Sequence, residues 1–188
     1  MEDANARYDA AQHAAMELET GSDYLTDAVR SFVVTGDLRD LNDYFEEATV
    51  TRRRDNAVEQ LQELLTDSDS SAFASLTEAL GTSNALMEKE CLAMRLIQTA
   101  SGIPDSDVPA EISGVRLDAG QRALTPDEKK TLAEELIFGD EYLSYKITIW
   151  QGVRKTPYLP YWQTGAKKEN AFLGSGDAFS AGVFYDPV

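Results

Sequence analysis

Residues 1–102 contain no proline, and this absence constrains the chain more than any other feature. Proline is the strongest interrupter of a helix, since it lacks an N–H and its ring crowds the preceding turn. The same stretch holds only Gly21, Gly36, Gly81 and Gly102 as further breakers. Within it Ala11, Ala15, Leu18, Ser22, Leu25, Val29 and Phe32 recur at alternating steps of four and three. That spacing is the seam of a long helix packed lengthwise on another, and it predicts a first helix over 3–35. Gly36-Asp37 is the stop, with Asp37 free to cap the next helix.

A second helix is expected over 38–65, with Leu41, Phe45, Ala48, Val58, Leu61 and Leu65 on its apolar face. The polar run Thr51-Arg52-Arg53-Arg54-Asp55 interrupts that stripe. Asp67-Ser68-Asp69-Ser70-Ser71 reads as a capping turn, because it lacks the glycine and terminal glutamate of a calcium loop. The third helix, 71–101, carries the seam Phe73, Leu76, Leu80, Ser83, Met87, Glu90, Met94 and Ile97. Gly102-Ile103-Pro104 ends it.

Residues 103–124 hold Pro104, Pro109, Gly114 and Gly120 and read as an irregular connection. Thr125-Pro126-Asp127-Glu128 then opens a fourth helix with a capping box and a proline in the first turn. That helix carries Leu132, Ala133, Leu136, Ile137, Tyr142 and Tyr145, with Gly139 as a point of kinking, and is expected to end near Trp150. The remaining segment, rich in Pro, Gly and aromatic residues, has no helical period. The chain thus divides into a helical domain over 1–149 and an irregular tail over 150–188. The fold expected is all-α, an antiparallel up-down-up-down four-helix bundle whose long helices reach roughly 45 Å.

Composition narrows the function. Of 188 residues 33 are Asp or Glu and 17 Lys or Arg, for a net charge of −16. Nucleic-acid binding and adhesion to anionic lipid both need clustered basic charge, so neither is expected. One cysteine, Cys91, and one histidine, His13, leave no disulfide, no Cys/His zinc site and no Glu-x-x-His pair of a di-iron bundle. Phosphate-loop, dinucleotide, zincin and nucleophile-elbow motifs do not occur, so no cofactor, no metal and no enzymatic activity are expected. No run of apolar residues is long enough to span a bilayer, and the N-terminal MEDANARYD does not read as a signal peptide.

The informative feature is a pair of polar breaks in the third seam, Ser83 and Glu90. If the hairpins turn near Asp37 and Asp69, then Ser22, Arg52, Ser83, Met87 and Glu90 form one band across the middle of the bundle. A seam carboxylate needs a partner, and Arg52 or Arg53 is available. Tyr24 and Arg30 flank the first seam. Two readings stay open: a small polar ligand pocket in which Arg fixes a carboxylate, or a structural ion pair that sets helix register. Met87, Met94 and Cys91 read as core.

Gly21-Ser22-Asp23-Tyr24-Leu25-Thr26, Val29-Arg30 and Phe32-Val33-Val34-Thr35-Gly36-Asp37 resemble the first hairpin of bacterial extracytoplasmic four-helix sensor domains. Tyr44-Phe45-Glu46-Glu47, Arg52-Arg53-Arg54-Asp55, Ser83-Asn84, Leu86-Met87, Glu90, Ala93-Met94-Arg95 and Leu124 to Lys129 extend the likeness over roughly 5–146. The resemblance implies a periplasmic or cell-surface input domain of a diguanylate cyclase, histidine kinase or chemoreceptor. It would be held by transmembrane helices that this sequence does not contain, so the chain would be an excised domain. It implies a homodimer that takes a small polar or anionic ligand, or a ligand-loaded binding protein, and that signals by helix displacement. The alternative is a structural or protein-interaction bundle with no ligand. The single cysteine agrees with an extracytoplasmic address.

Overall fold

The computed structural model describes residues 2–64 and 70–155, with the side chains of Phe73, Leu76 and Leu80 among those left out. All regular structure among the described residues is helical. The expected Leu65, most of the Asp67 to Ser71 turn and residues 156–188 lie outside them.

The first helix, α1 (Glu2–Thr35), has 34 residues and is about 50 Å long at the usual rise. All seven residues of its expected seam are buried. It ends where the chain needs a positive φ, at Gly36 (φ 67), whose N–H returns to the Phe32 carbonyl at 2.8 Å. Asp37 then caps α2 (Leu38–Phe45) by accepting from the Arg39 N–H at 2.9 Å. Asp40, one turn on, ties the corner by accepting from Ser31 Oγ at 2.7 Å and Thr35 Oγ1 at 3.0 Å.

The single helix expected over 38–65 is broken. A π-helical turn, Glu46–Thr51, follows α2, Arg52 takes a left-handed conformation (φ 51), and α3 runs over Arg53–Leu64. The cause is local and tertiary at once. Thr49-Val50-Thr51 is a β-branched run with low helix propensity. Opposite it, Gly21 of α1 lets the backbone come so close that a Cβ there would lie 2.9 Å from the Arg54 nitrogen.

Beyond the break α3 packs on α1, and the Arg7 guanidinium donates to the Leu64 carbonyl at the far end. The helix α4 (Ser70–Ser101) is closed by Ile103 N–H to Gln98 O at 3.0 Å and Gly102 N–H to Thr99 O at 3.4 Å, the paired bonds of a Schellman cap.

The connection expected to be irregular is partly ordered into a 3₁₀ turn (Asp105–Asp107), α5 (Ala110–Ser113) and α6 (Ala119–Ala123). Val108, Ile112 and Leu117 are buried, so the segment covers core as well as joining helices. Thr125 and Glu128 form the expected capping box of α7 (Pro126–Phe138). Gly139 divides the helix expected here in two, and α8 continues over Asp140–Lys155, past the end expected at Trp150.

The main packings are α1 on α3, α4 on α7 and α4 on α8, with α1 also touching α2, α7 and α8. Residue pairs give the sense of each. Ser22 meets Lys146 while Thr26 meets Tyr142, so α8 runs back along α1. Glu90 meets Tyr142 while a Cβ on Gly152 would meet the Ser75 carbonyl, so α8 also runs back along α4.

Candidate functional site

Glu90 is only 3 % exposed. It sits at a seam position of α4, so the helix period turns its carboxylate inward among apolar neighbours. Each oxygen accepts one phenol: Tyr44 Oη donates to Oε2 and Tyr142 Oη to Oε1, both at 2.6 Å. These lengths are those of charge-assisted O–H···O bonds. Tyr44 comes from the last turn of α2 and Tyr142 from the first turn of α8, and both are fully buried. The Tyr142 hydroxyl also lies 3.3 Å from Thr26 Oγ1 of α1. Lys146, one turn further along α8, donates to Thr26 Oγ1 at 3.1 Å, Ser22 Oγ at 3.0 Å and Asp23 Oδ1 at 3.0 Å. One buried carboxylate thus links α2, α4 and α8 directly, and α1 through Thr26 and Lys146.

Burial pushes the Glu90 carboxyl above the ordinary glutamate range, while the two phenols and the charges of Lys146 and Arg54 pull against it. Both phenols are pushed up, first by burial and then by the negative charge of Glu90. They therefore remain protonated donors at neutral pH. The Cys91 thiol is raised to about 11, chiefly by burial.

The structure brings Ser22, Ser83 and Glu90 into the interior, as the spacing predicts, but not the expected arginines. Arg52 is left-handed, its side chain is 44 % exposed, and it reaches Asp55 at 3.6 Å and Glu59 at 3.4 Å. Arg53 forms a bidentate pair with Glu47, itself 3 % exposed, at 2.8–3.0 Å. The expected pairing of Glu90 with Arg52 or Arg53 is therefore absent.

The physical reason is the π turn, which rotates the basic run so that Arg54 faces α4. Its Nη1 donates to Ser83 Oγ at 3.1 Å and approaches the Met87 sulfur. Tyr24 stands outside the band, with the Arg53 guanidinium 5.2 Å above its ring. Arg30 lies over the rings of Phe138 and Tyr142 at 5.3 and 5.5 Å, and its buried Nε has no hydrogen-bond partner.

Tyr44, Thr26, Lys146 and the inward turn of Arg54 were missed by sequence reasoning, and Tyr142 was read only as apolar. The four-residue spacing of Tyr142 and Lys146, which puts both on one face, was the available signal.

Two clefts adjoin this cluster. One, of about 330 Å³, lies between α1 and α8 and is lined by Asp23, Thr26, Asp27, Arg30, Leu143, Lys146, Ile147 and Trp150. The other, of about 440 Å³, is lined by Asn84, Met87, Glu88, Cys91 and Val115. Among the described residues no three His, Cys, Asp or Glu side chains are grouped to hold a metal ion. No helix among them is long and apolar enough to cross a membrane.

Compared with known protein families, with curated proteins and with solved structures, the chain matches none.

Proposed function

We propose that this chain is the input domain of a membrane-bound signalling protein, folded as an antiparallel four-helix bundle and transmitting by displacement of its helices. Its legs would be α1, α2 with α3, α4, and α7 with α8. The domain then extends to the end of α8 at Lys155. The observation that carries the reading is the Glu90 cluster, in which one buried carboxylate is held by side chains from separate legs. A displacement of α8 along α1 changes the Lys146 and Tyr142 contacts and is felt at α2 and α4. Such a coupled element is what a ligand must bias to transmit a signal.

In this reading the ligand is small and polar or anionic, or arrives on a binding protein, and two copies of the domain pair. The domain lies outside the cytoplasm, on transmembrane helices outside these residues. It performs no catalysis: Glu90 is closed in by donors, and its tyrosines are held protonated, so the cluster offers no free acid–base pair.

One observation favours a second reading, a structural or protein-interaction bundle. Both Glu90 oxygens already have protein donors, which suits a device that fixes helix register.

A thermal-shift screen of the full chain against carboxylates, amino acids, amines and metal ions separates the two. At a hundredfold excess over its dissociation constant a specific ligand adds about 2.7 kcal/mol of stability, a shift of several degrees. A flat screen with a cooperative melt favours the structural bundle.

A further inference from the structure

The two clefts differ in what they offer a ligand. The one at Cys91 is mainly apolar, and its thiol is held protonated. The one between α1 and α8 contains a cation, Arg30, that forms no ion pair with the carboxylates of the cleft. Arg30 makes no hydrogen bond or ion pair among the described residues, and its partners are the faces of two aromatic rings. A guanidinium has five N–H donors in one plane, and ring faces leave that plane unfilled. Partly buried and with Nε shut off from water, it gains from an acceptor that brings two oxygens in plane.

The rest of the cleft limits what that acceptor is attached to. Leu143 and Ile147, one turn apart on α8, are 53 % and 44 % exposed and form an apolar wall continued by Trp150. The charge of Asp23 is already cancelled by Lys146 at 3.0 Å. Asp27 remains at the exposed rim and repels a second negative charge.

We propose that this cleft binds an amphipathic organic monoanion, a carboxylate carrying an aryl or short alkyl body. The carboxylate pairs with Arg30 and the body covers Leu143, Ile147 and Trp150. The inference deepens the sensor reading and rests on it for the consequence of binding. Thr26 and Lys146 line the cleft and also belong to the Glu90 cluster, so an occupant loads the α1–α8 contact directly.

The test is titration of the full chain with 3-phenylpropanoate, followed by calorimetry and by amide chemical shifts. The controls are acetate, which lacks the body, and 3-phenylpropanamide, which lacks the charge. Saturable binding is expected, at least about tenfold weaker for each control. Arg30→Gln, which keeps the stem of the side chain, should weaken it about tenfold. Should that variant melt early, Leu143→Gln on the exposed wall carries the test, with an expected loss of about threefold.

Absence of binding, equal binding of the amide, or wild-type binding by both variants overturns the proposal. Spin labels at the exposed positions 16 and 144 separate this failure from failure of the sensor reading. Binding at Arg30 with no change in the α1–α8 distance upholds the site and sinks the sensor role. A distance change driven by another ligand class, with 3-phenylpropanoate inert, sinks the site alone.

Discussion

Tyr142 and Glu90 meet at 2.6 Å although 52 positions separate them in the chain, and neither has access to water. The bond fixes α8 against α4, and its partner bond from Tyr44 fixes α2 against the same carboxylate.

Removing the Tyr142 hydroxyl should leave one oxygen of a buried carboxylate without a donor. Tyr142→Phe is expected to cost about 1.5–3 kcal/mol. In a domain of this size that is a fall in Tm of roughly 3–10 °C. Adding Glu90→Leu to Tyr142→Phe and Tyr44→Phe should recover most of the loss, because an apolar cluster replaces an unpaired charge. Urea melts of the single and triple variants decide it. A triple variant less stable than Tyr142→Phe would refute this account.

The raised Glu90 carboxyl makes a signed pH prediction. The folded state holds this proton to higher pH than the unfolded chain does. Stability from this group is therefore full below the usual value of 4.5 and is lost as pH rises through the folded value. Glu90→Gln removes that slope and keeps one acceptor and one donor for the phenols. As pH rises above about 4.5 the wild type should lose stability relative to the variant, until the folded carboxyl has also ionised. Parallel curves would contradict the assignment.

The three adjacent arginines should respond very differently. Arg52 holds a left-handed φ of 51 with an exposed side chain, so Arg52→Gly should stabilise the chain by up to about 1 kcal/mol. Arg53→Ala strands the buried Glu47, and Arg54→Ala removes the donor to Ser83. Each of these should cost about 1–3 kcal/mol. Equal effects at all three positions, measured by thermal melts, would mean that the break at Arg52 is wrongly placed.

Gly21→Ala tests the close approach of α1 to α3. Its new Cβ would lie 2.9 Å from the Arg54 nitrogen and 3.2 Å from the Arg53 Cβ. The helix propensity of alanine favours the change by about 1 kcal/mol. Overpacking against backbone opposes it by about 1–3 kcal/mol, so net destabilisation is expected. A higher Tm would show that the two helices have room.

The long helices were legible because their signal is periodic: every seam residue of α1 that the spacing marks is buried. The caps at Asp37 and Thr125 and the stop at Gly102 were legible for the same local reason, since each depends on residues within one turn. The π turn was not, because it arises where α1 and α3 meet at Gly21, a contact between distant parts of the chain. The error at the site came from that turn. Glu90 was identified as a buried carboxylate, but its partner was sought among the arginines by register, and register is what the π turn changes. Tyrosine hid the true partners, since a hydrophobic pattern counts the ring and ignores the hydroxyl.

The basic triplet behind the π turn behaves as a dial. Successive helical residues point about 100° apart. Winding this segment by one residue therefore replaces Arg54 opposite α4 with a neighbour, and the two neighbours differ in sign. A slip in one sense brings Arg53 to Ser83 and keeps a cation there, whereas a slip in the other brings Asp55 and reverses the charge. The position thus tolerates displacement in one direction only.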